Sequence, residues 1–412
     1  MELAIGAIFP GMRISMKSES QASGPLAGVR VLDISTVVSG PLCGQALGDL
    51  GADVVKIEAF GGDTTRRMGL PDACGFTGWY LQFNRNKRGL AVNLKTESGV
   101  NVLKRLARTA DVLVENFRPG VADRLGVGFD VLATENPRLI YAAISGFGPD
   151  GPYRDLPAYD SVIQGVAGFM RTQGGGDEPT LVRSIAADKA SAMTALYAVL
   201  AALYAREKNG GRGQRIDIPM LDSWIAFILP DIFQDRTYKA APEPGPGPSL
   251  HRTWATKDGS VVMMIIEDHQ FHAMCRVLER EDLIDDPRCA NLITRFMNAD
   301  TLFAELETEI VKRTTQELVE RARKLGAPVA PANGIPEMMQ DPQALHAQIV
   351  MEVDHEEAGT LRYLRNPVRF AETPTSLRAH PPKLGEHTEE LLRAAGFSAE
   401  EIGALREEGA VA

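Results

Sequence analysis

Val29-Arg-Val-Leu-Asp-Ile-Ser35 is followed by a helical run from Leu42 to Leu50 and by a second apolar stretch, Ala52-Asp-Val-Val-Lys-Ile-Glu58. Both apolar stretches are short and rich in β-branched residues, which is typical of buried strands. Gly51 stands where the intervening helix should end, because glycine adopts the left-handed conformation there without steric cost. The order strand, helix, strand predicts the opening unit of a parallel α/β sheet.

The same alternation continues along the first half of the chain. Further strands are predicted at residues 89–94, 111–115, 139–145 and 215–219, with a helix at 97–109 and a long alanine-rich helix from Ser184 to Tyr204. Strands that alternate with helices form parallel pairs joined by crossover connections. We therefore predict an α/β protein with a Rossmann-like, mostly parallel open sheet.

The chain has 412 residues, more than one hydrophobic core usually holds, so two domains are expected. The proline- and glycine-rich segment 240–248 marks the boundary between them. Beyond it, a strand at 261–266 and amphipathic helices at 270–278 and 301–325 indicate a second, smaller α/β domain. The predicted divisions are an N-terminal extension (1–23), a large domain (24–225), a linker (226–250), the small domain (251–330) and a return segment completing the large domain (331–412).

Composition excludes several classes of function. The formal net charge of -10 disfavours general affinity for nucleic acid, and no uninterrupted apolar run of about 18 residues suggests a role in a membrane. The first ten residues lack the basic region of a signal peptide. The four cysteines include no CxxC pair, so we expect neither a disulfide framework nor a metal site, and a reducing cytoplasm fits best.

A dinucleotide-dependent enzyme is one alternative. Glu58 ends the second strand, where such an enzyme would bind a ribose hydroxyl, but the turn Ser35–Pro41 lacks the G-x-G-x-x-G glycines that allow close approach to a pyrophosphate. The loop Asn84–Gly89 carries three cations that could meet ligand phosphates, or that are ordinary surface charges. A nicotinamide or flavin dehydrogenase is therefore the less favoured interpretation.

Two carboxylates precede apolar helical stretches. Asp188 heads the alanine-rich helix, where it either caps the helix or is kept for chemistry, since an unpaired buried charge is costly. Asp160 opens an earlier helix, either as its N-cap or as a second catalytic carboxylate, and capping is the favoured reading there. The segment Glu115–Gly120 ends a strand and suits an adenine or pantetheine arm; the alternative is a Pro-Gly turn with Phe117 packed inward.

Together these motifs resemble the family III CoA-transferases, whose relatives include the α-methylacyl-CoA racemases. The resemblance spans about residues 24–396, and its landmarks are the segments 28–33, 50–58, 84–88, 115–120, 158–160, 211–214 and 385–388. It implies acyl-CoA as co-substrate, a free carboxylic acid as acceptor, and an interlocked homodimer. It also implies that Asp188 is the nucleophile, passing through a mixed anhydride and an aspartyl-CoA thioester. The helix start and Lys189 are expected to keep that carboxylate ionised.

The resemblance further implies a set of residues that contact CoA. These are Val38, Ser39, Val92, Asn93, Leu94, Lys95, Asn116, Phe117, Arg118, Arg124, Pro157, Ala158, Tyr159 and Asp160.

Departures from the family pattern bear on the reaction. Val38 and Ala59 replace a glutamine and an arginine of the formyl-CoA branch, so oxalate and formate are not favoured as substrates. The racemase branch has Gly-His-Asp where this chain has Ala158-Tyr-Asp160, and proton exchange on two faces needs a second acid-base group. A CoA-transferase is therefore favoured over a racemase, and a catalytically silent CoA-binding protein is a further alternative.

Overall fold

The computed structural model describes residues 23–70, 75–173, 178–240 and 251–412. The chain divides into two compact units. The first is Met1–Gln234 with Gln348–Ala412, and the second is Asp235–Ala347. The second unit thus includes residues 331–347, which were predicted to belong to the return segment. The N-terminal extension up to residue 22 and the linker segment 241–250 lie outside the described residues.

Up to Gln234 the chain alternates strands and helices. The strands described there are β1 (Arg30–Asp33), β2 (Asp53–Glu58), β3 (Lys87–Ala91), β4 (Val112–Glu115), β5 (Ile140–Ser145) and β6 (Arg215–Pro219). The α-helices described there are α1 (Ser39–Asp49), α2 (Gly78–Phe83), α3 (Glu97–Ala107), α4 (Val121–Arg124), α5 (Phe129–Glu135), α6 (Asp160–Val166), α7 (Phe169–Gln173), α8 (Ala186–Lys208) and α9 (Met220–Ile228). Short 3₁₀ turns lie at Thr64–Arg67 and Ile232–Arg236.

These strands form a six-stranded sheet among the described residues, in the order β3-β2-β1-β4-β5-β6, and every neighbouring pair is parallel. Val31 of β1 pairs with Val54 on one side and with Val112 on the other. The strand order reverses between β1 and β4, and open α/β sheets bind ligands beyond the carboxyl ends of the strands at such a point. The predicted Rossmann-like sheet is confirmed.

Helices cover both faces of the sheet, which explains why the strands are continuous apolar runs. On one face α1, α8 and α9 contribute Leu47, Val199 and Trp224 to the core. On the other face α3 and α5 contribute Leu103 and Leu132. The buried side of α8 consists mainly of alanines, and these small side chains let α8 lie close to α1. This close packing positions the first turns of the two helices.

The second unit is built on a three-stranded antiparallel sheet, β7 (Thr253–Ala255), β8 (Ser260–Met263) and β9 (Val329–Pro331). Its α-helices among the described residues are α10 (Asp268–Leu278), α11 (Leu292–Met297), α12 (Ala299–Ile310), α13 (Thr315–Leu325), α14 (Ile335–Met338) and α15 (Pro342–Ala347), with 3₁₀ turns at Glu281–Leu283 and Pro287–Cys289. The prediction of one helix over 301–325 is wrong. Thr314 starts a new helix there by accepting a hydrogen bond from the Glu317 amide at 3.2 Å.

After Gln348 the chain rejoins the first unit. It forms the hairpin β10 (Val350–His355) and β11 (Gly359–Leu364), followed by α16 (Thr388–Ala394) and α17 (Ala399–Glu407). Leu391 and Ile402 of these helices are buried in the same core as α3. His387 stands immediately before α16, as expected of a helix-start residue.

Candidate active site

The loop between β1 and α1 is tied to the end of β4 at the point where the strand order reverses. The Thr36 amide donates to Asn116 Oδ1 at 2.8 Å, and Asn116 Nδ2 donates to the Thr36 carbonyl at 2.7 Å. Asn116 Nδ2 also lies 3.3 Å from Ser39 Oγ. One amide side chain therefore fixes the loop and the first residue of α1 against each other.

Ser39 in turn contacts the candidate nucleophile. Its hydroxyl and its backbone amide both act on the Asp188 carboxylate, and both lower the pKa of that carboxyl. Ser39 begins α1 and Asp188 lies in the first turn of α8. The N-terminal turns of helices carry unpaired amides and partial positive charge, so both helix starts favour an anion here.

The start of helix α8 is capped by Asp160 and not by Asp188. Its Oδ1 accepts from the amides of Ala187 at 2.7 Å and of Asp188 at 3.2 Å, while its Oδ2 accepts from Gln164 Nε2 at 2.6 Å. Asp160 was expected to cap its own helix, but it is the first residue of α6 and caps α8 instead. The Asp188 side chain is therefore not needed as a cap.

The pKa of Asp188 is raised from 3.8 to about 6, first by burial and then by the negative charge of Asp160, against the opposing effect of Ser39. At neutral pH the carboxylate is still mainly ionised, and its basicity is above that of an ordinary aspartate. The prediction that Lys189 favours the ionised form is wrong. Its ammonium is turned to the exposed Ser184 hydroxyl at 2.9 Å, and the Asp188 pKa shifts upward.

Replacing Asp160 with asparagine is expected to lower the pKa of Asp188 below about 6, because the variant keeps a capping oxygen but removes the neighbouring negative charge. The ionised nucleophile would then persist to lower pH. The measurement is the pH dependence of kcat, whose acidic limb should move to lower pH. Asp160→Ala removes the cap as well and should lose about 1 kcal/mol of stability. An unchanged acidic limb in Asp160→Asn would rule out this electrostatic role.

The other predicted CoA-contacting residues mostly follow the carboxyl ends of strands. Val38 and Ser39 come after β1, residues 92–95 after β3, residues 116–118 after β4 and residues 157–160 after β5. Parallel strands place these ends at one edge of the sheet. Arg124 instead ends the short helix α4. The sequence prediction thus names segments that the topology brings to one edge.

Two arginines at this edge are suited to phosphates. Arg118 and Arg124 are exposed, and neither forms an ion pair within the described part of the chain. A side chain added at Gly120 would lie 3.3 Å from Arg124 Nη1 and 3.5 Å from Arg154 Nη2, so two guanidinium groups approach that glycine. Phe117 directly precedes Arg118 in sequence and packs partly into the core, as the alternative reading of its turn expects.

The cations of residues 84–89, interpreted either as phosphate contacts or as surface charges, are held in ion pairs. Lys87 Nζ binds Asp33 at 2.8 Å with both side chains wholly buried. Arg85 binds Asp49 at 2.6 Å, and Arg88 binds Asp53 at 2.7 Å. The pairs of Lys87 and Arg85 are buried, and that of Arg88 is partly exposed.

The Glu58 carboxylate is likewise bound by groups of the protein itself. Its carboxylate accepts two hydrogen bonds from Arg66, at 2.9 and 2.7 Å, and one from the Asp63 amide at 2.7 Å. A ribose hydroxyl would have to displace these partners. This geometry, together with the missing glycines, argues against a dinucleotide enzyme.

Glu115 is a titratable group at this edge that the sequence analysis did not single out. Burial raises its pKa from 4.5 to about 7, and its Oε2 accepts from the Phe117 amide at 2.6 Å. Tyr141 lines the same small cavity, and its hydroxyl has no hydrogen-bond partner among the described residues. In the sequence, Glu115 could have been identified because it is a carboxylate at the end of an apolar strand.

A sequence model of CoA-transferase family III matches residues 26–388. This chain belongs to that family. It is 33% identical over 384 residues to the succinate–glutarate CoA-transferase of Agrobacterium fabrum, covering 89% of this chain and 95% of that protein. It is also 33% identical over 419 residues to the formyl-CoA:oxalate CoA-transferase of Escherichia coli O157:H7, covering 94% of this chain and 100% of that protein.

The structure of a CAIB/BAIF family protein from Brucella suis is similar to this family III CoA-transferase, with a TM-score of 0.79 at 31% identity, covering 90% of this chain and 100% of that one. The match extends across the sheet and the second unit. The protein is therefore an enzyme of the CoA-transferase class, and acyl-CoA is the co-substrate of such enzymes.

Proposed function

We propose that this family III CoA-transferase moves CoA from an acyl-CoA thioester to a free carboxylic acid, with Asp188 as the nucleophile. The observation that carries the proposal is the position of the Asp188 carboxylate, which lies beside Ser39 at the start of α1 and is relieved of capping by Asp160. A carboxylate kept half-buried beside a second carboxylate is costly for stability, so its position points to chemistry.

The proposed steps balance without a metal or a redox partner. An ionised Asp188 oxygen attacks the thioester carbonyl, the C–S bond breaks, and CoA leaves as the thiolate. The thiolate attacks the aspartyl carbonyl of the resulting anhydride, which releases the donor acid and leaves an aspartyl-CoA thioester. The acceptor carboxylate then repeats these two steps in reverse order, so that a new acyl-CoA forms and the Asp188 carboxylate is regenerated.

Ser39 has the chemistry to assist these steps. Each attack on a carbonyl creates negative charge on oxygen, and fixed N–H donors stabilise such charge most effectively when they are already in place. The start of α1 supplies these donors next to Asp188.

Arg118 is expected to bind the phosphates of CoA, because its guanidinium is exposed and has no ion-pair partner among the described residues. Arg118→Gln should raise KM for acyl-CoA about tenfold while leaving the melting temperature unchanged. Arg108→Gln is the matched control, since Arg108 is exposed but binds Glu135 at 2.9 Å. Steady-state kinetics would contradict the assignment if both variants shifted KM equally.

The requirement for an acceptor acid distinguishes the transferase from a racemase. A racemase would exchange the α-proton of a 2-methylacyl-CoA for deuterium with no acceptor present, whereas the transferase should consume acyl-CoA only when a carboxylic acid is added. Tyr159, at the position of the racemase histidine, is 71% exposed. Product analysis by mass spectrometry in D₂O, with and without a panel of acids, tests the proposal and identifies the acceptor.

We further propose the homodimer that the resemblance implies. One side of α8 exposes Met193, Tyr197 and Tyr204, which are 43, 63 and 68% accessible. Among the described residues, α8 alone is long and apolar enough to cross a membrane, but the core helix of a soluble protein passes the same test. A second copy of the chain would cover these side chains, and light scattering after size-exclusion chromatography should report twice the mass of one chain.

A further inference from the structure

We infer that a buried network of four charges beneath the β1–α1 loop, formed by Asp33, Lys56, Asp63 and Lys87, positions Ser39 for its contact with Asp188. The inference rests on the proposed role of Asp188 as nucleophile. It assigns a positioning role to residues that do not touch the substrate in the proposed mechanism.

The network consists of two ion pairs with no exposed side chain. Lys87 Nζ lies 2.8 Å from Asp33 Oδ2, and Lys56 Nζ lies 2.9 Å from Asp63 Oδ2. The relative exposure of all four side chains is 0%. Burying an ion pair costs about as much solvation as the attraction returns, so apolar residues of similar volume would stabilise the core at least as well. Stability alone therefore does not account for the network.

Each charged group instead holds one backbone group of the loop. Lys56 Nζ donates to the Ser35 carbonyl at 2.5 Å, and the Ser35 amide donates to Asp33 Oδ1 at 3.0 Å. The Val37 amide donates to both oxygens of Asp63, at 3.1 and 3.2 Å. Lys87 Nζ donates to the carbonyl of Pro41 at 2.8 Å, in the first turn of α1. The bonded groups flank Ser39 on both sides.

The loop also needs to be held, because it contains a strained residue. Val37 has φ 68°, in the left-handed region that β-branched side chains avoid. Such a conformation persists only where the surroundings enforce it, and it is concentrated at functional sites. Lys56 holds the Ser35 carbonyl before Val37, Asp63 accepts from the Val37 amide, and Lys87 holds the Pro41 carbonyl after it. The chain therefore turns sharply into α1 and presents the Ser39 amide and hydroxyl.

The chain offers a matched control for this inference. Arg85 lies two residues before Lys87 and forms an ion pair with Asp49 that is almost as buried, at 6% and 5% exposure. Asp49 is the last residue of α1, at the far end of the helix from Ser39. Loss of the Arg85 pair should therefore destabilise the fold without disturbing the start of the helix.

The experiment compares Lys87→Met with Arg85→Met in the full-length protein. We expect both variants to have lower melting temperatures, but only Lys87→Met to lower kcat, by about 10- to 100-fold. Only Lys87→Met should also move the acidic limb of the kcat–pH profile to higher pH, because displacement of Ser39 would weaken its lowering effect on the Asp188 pKa. If Lys87→Met does not fold, the double variant Asp33→Asn with Lys87→Gln is used in its place. This variant keeps the hydrogen-bonding groups but removes the charges.

Unchanged kcat and an unchanged acidic limb in the Lys87 variant, or in the double variant, would overturn the inference. Equal losses of kcat in Lys87→Met and Arg85→Met would overturn it too, since they would indicate a purely structural role. Hydroxylamine trapping on the unmodified enzyme separates this result from the proposed function. If Asp188 is not trapped, the proposed function fails; if it is trapped while the network variants keep their activity, only the positioning role fails.

Discussion

Replacing Asp188 with asparagine should reduce CoA exchange by at least about 10³-fold while the protein becomes more stable. The amide keeps the shape of the side chain but is not a nucleophile. The fold should tolerate the change because Asp160 caps α8. Asp188→Ala should lose the same activity, and measurements of kcat and melting temperature at neutral pH test both variants.

The expected gain in stability follows from the Asp188 pKa. Because the folded-state pKa is raised from 3.8 to about 6, ionisation of this carboxyl disfavours the folded state. Its contribution to stability is therefore lost as the pH rises through that interval, and Asp188→Asn does not suffer this loss. A variant that is inactive but also much less stable would indicate that Asp188 has a structural role.

Gly40→Ala should destabilise the protein by about 1–3 kcal/mol and also lower kcat. A Cβ at this position would lie 2.2 Å from both Cβ and Oγ of Ser35. Ser35 cannot move aside easily, because its amide and hydroxyl are both bonded to the buried carboxylate of Asp33. The clash would therefore displace the first turn of α1, where Ser39 contacts Asp188.

Gly403→Ala is the control for this substitution. Gly403 lies inside α17, and an added Cβ would meet no atom within 4 Å. Because alanine favours helix, the control should gain about 0.5–1 kcal/mol of stability and keep full activity. Thermal unfolding and steady-state kinetics measure both effects. Wild-type stability and kcat in Gly40→Ala would show that the loop and the helix start are not as rigidly coupled as proposed.

The sheet was predictable because its strands are buried on both faces and stand out as apolar runs between helices. The predicted strand at residues 89–94 is nevertheless displaced, and the structure places it at Lys87–Ala91. Two cations open this strand, and charged residues ordinarily argue against a buried strand. Lys87 is tolerated there because its partner is Asp33, which is 54 residues away in sequence.

The proposed nucleophile was assigned through the family resemblance, whereas its environment was not predictable from the residues. Asp160 and Ala187 are 27 positions apart, and no local pattern shows that the carboxylate of one caps the helix of the other. The same limit applies to Lys189, which stands next to Asp188 in sequence but binds Ser184. Adjacent positions on a helix point in different directions, so the neighbours that set the Asp188 pKa come from other elements.

Trapping of the covalent intermediate tests the central claim most directly. The enzyme is incubated with hydroxylamine and an acyl-CoA that it turns over, and its peptides are analysed by mass spectrometry. An anhydride or thioester at Asp188 should yield a hydroxamate on that residue alone, and Asp188→Asn should yield none. Turnover of the acyl-CoA with an unmodified Asp188, or with the hydroxamate on another residue, would contradict the account.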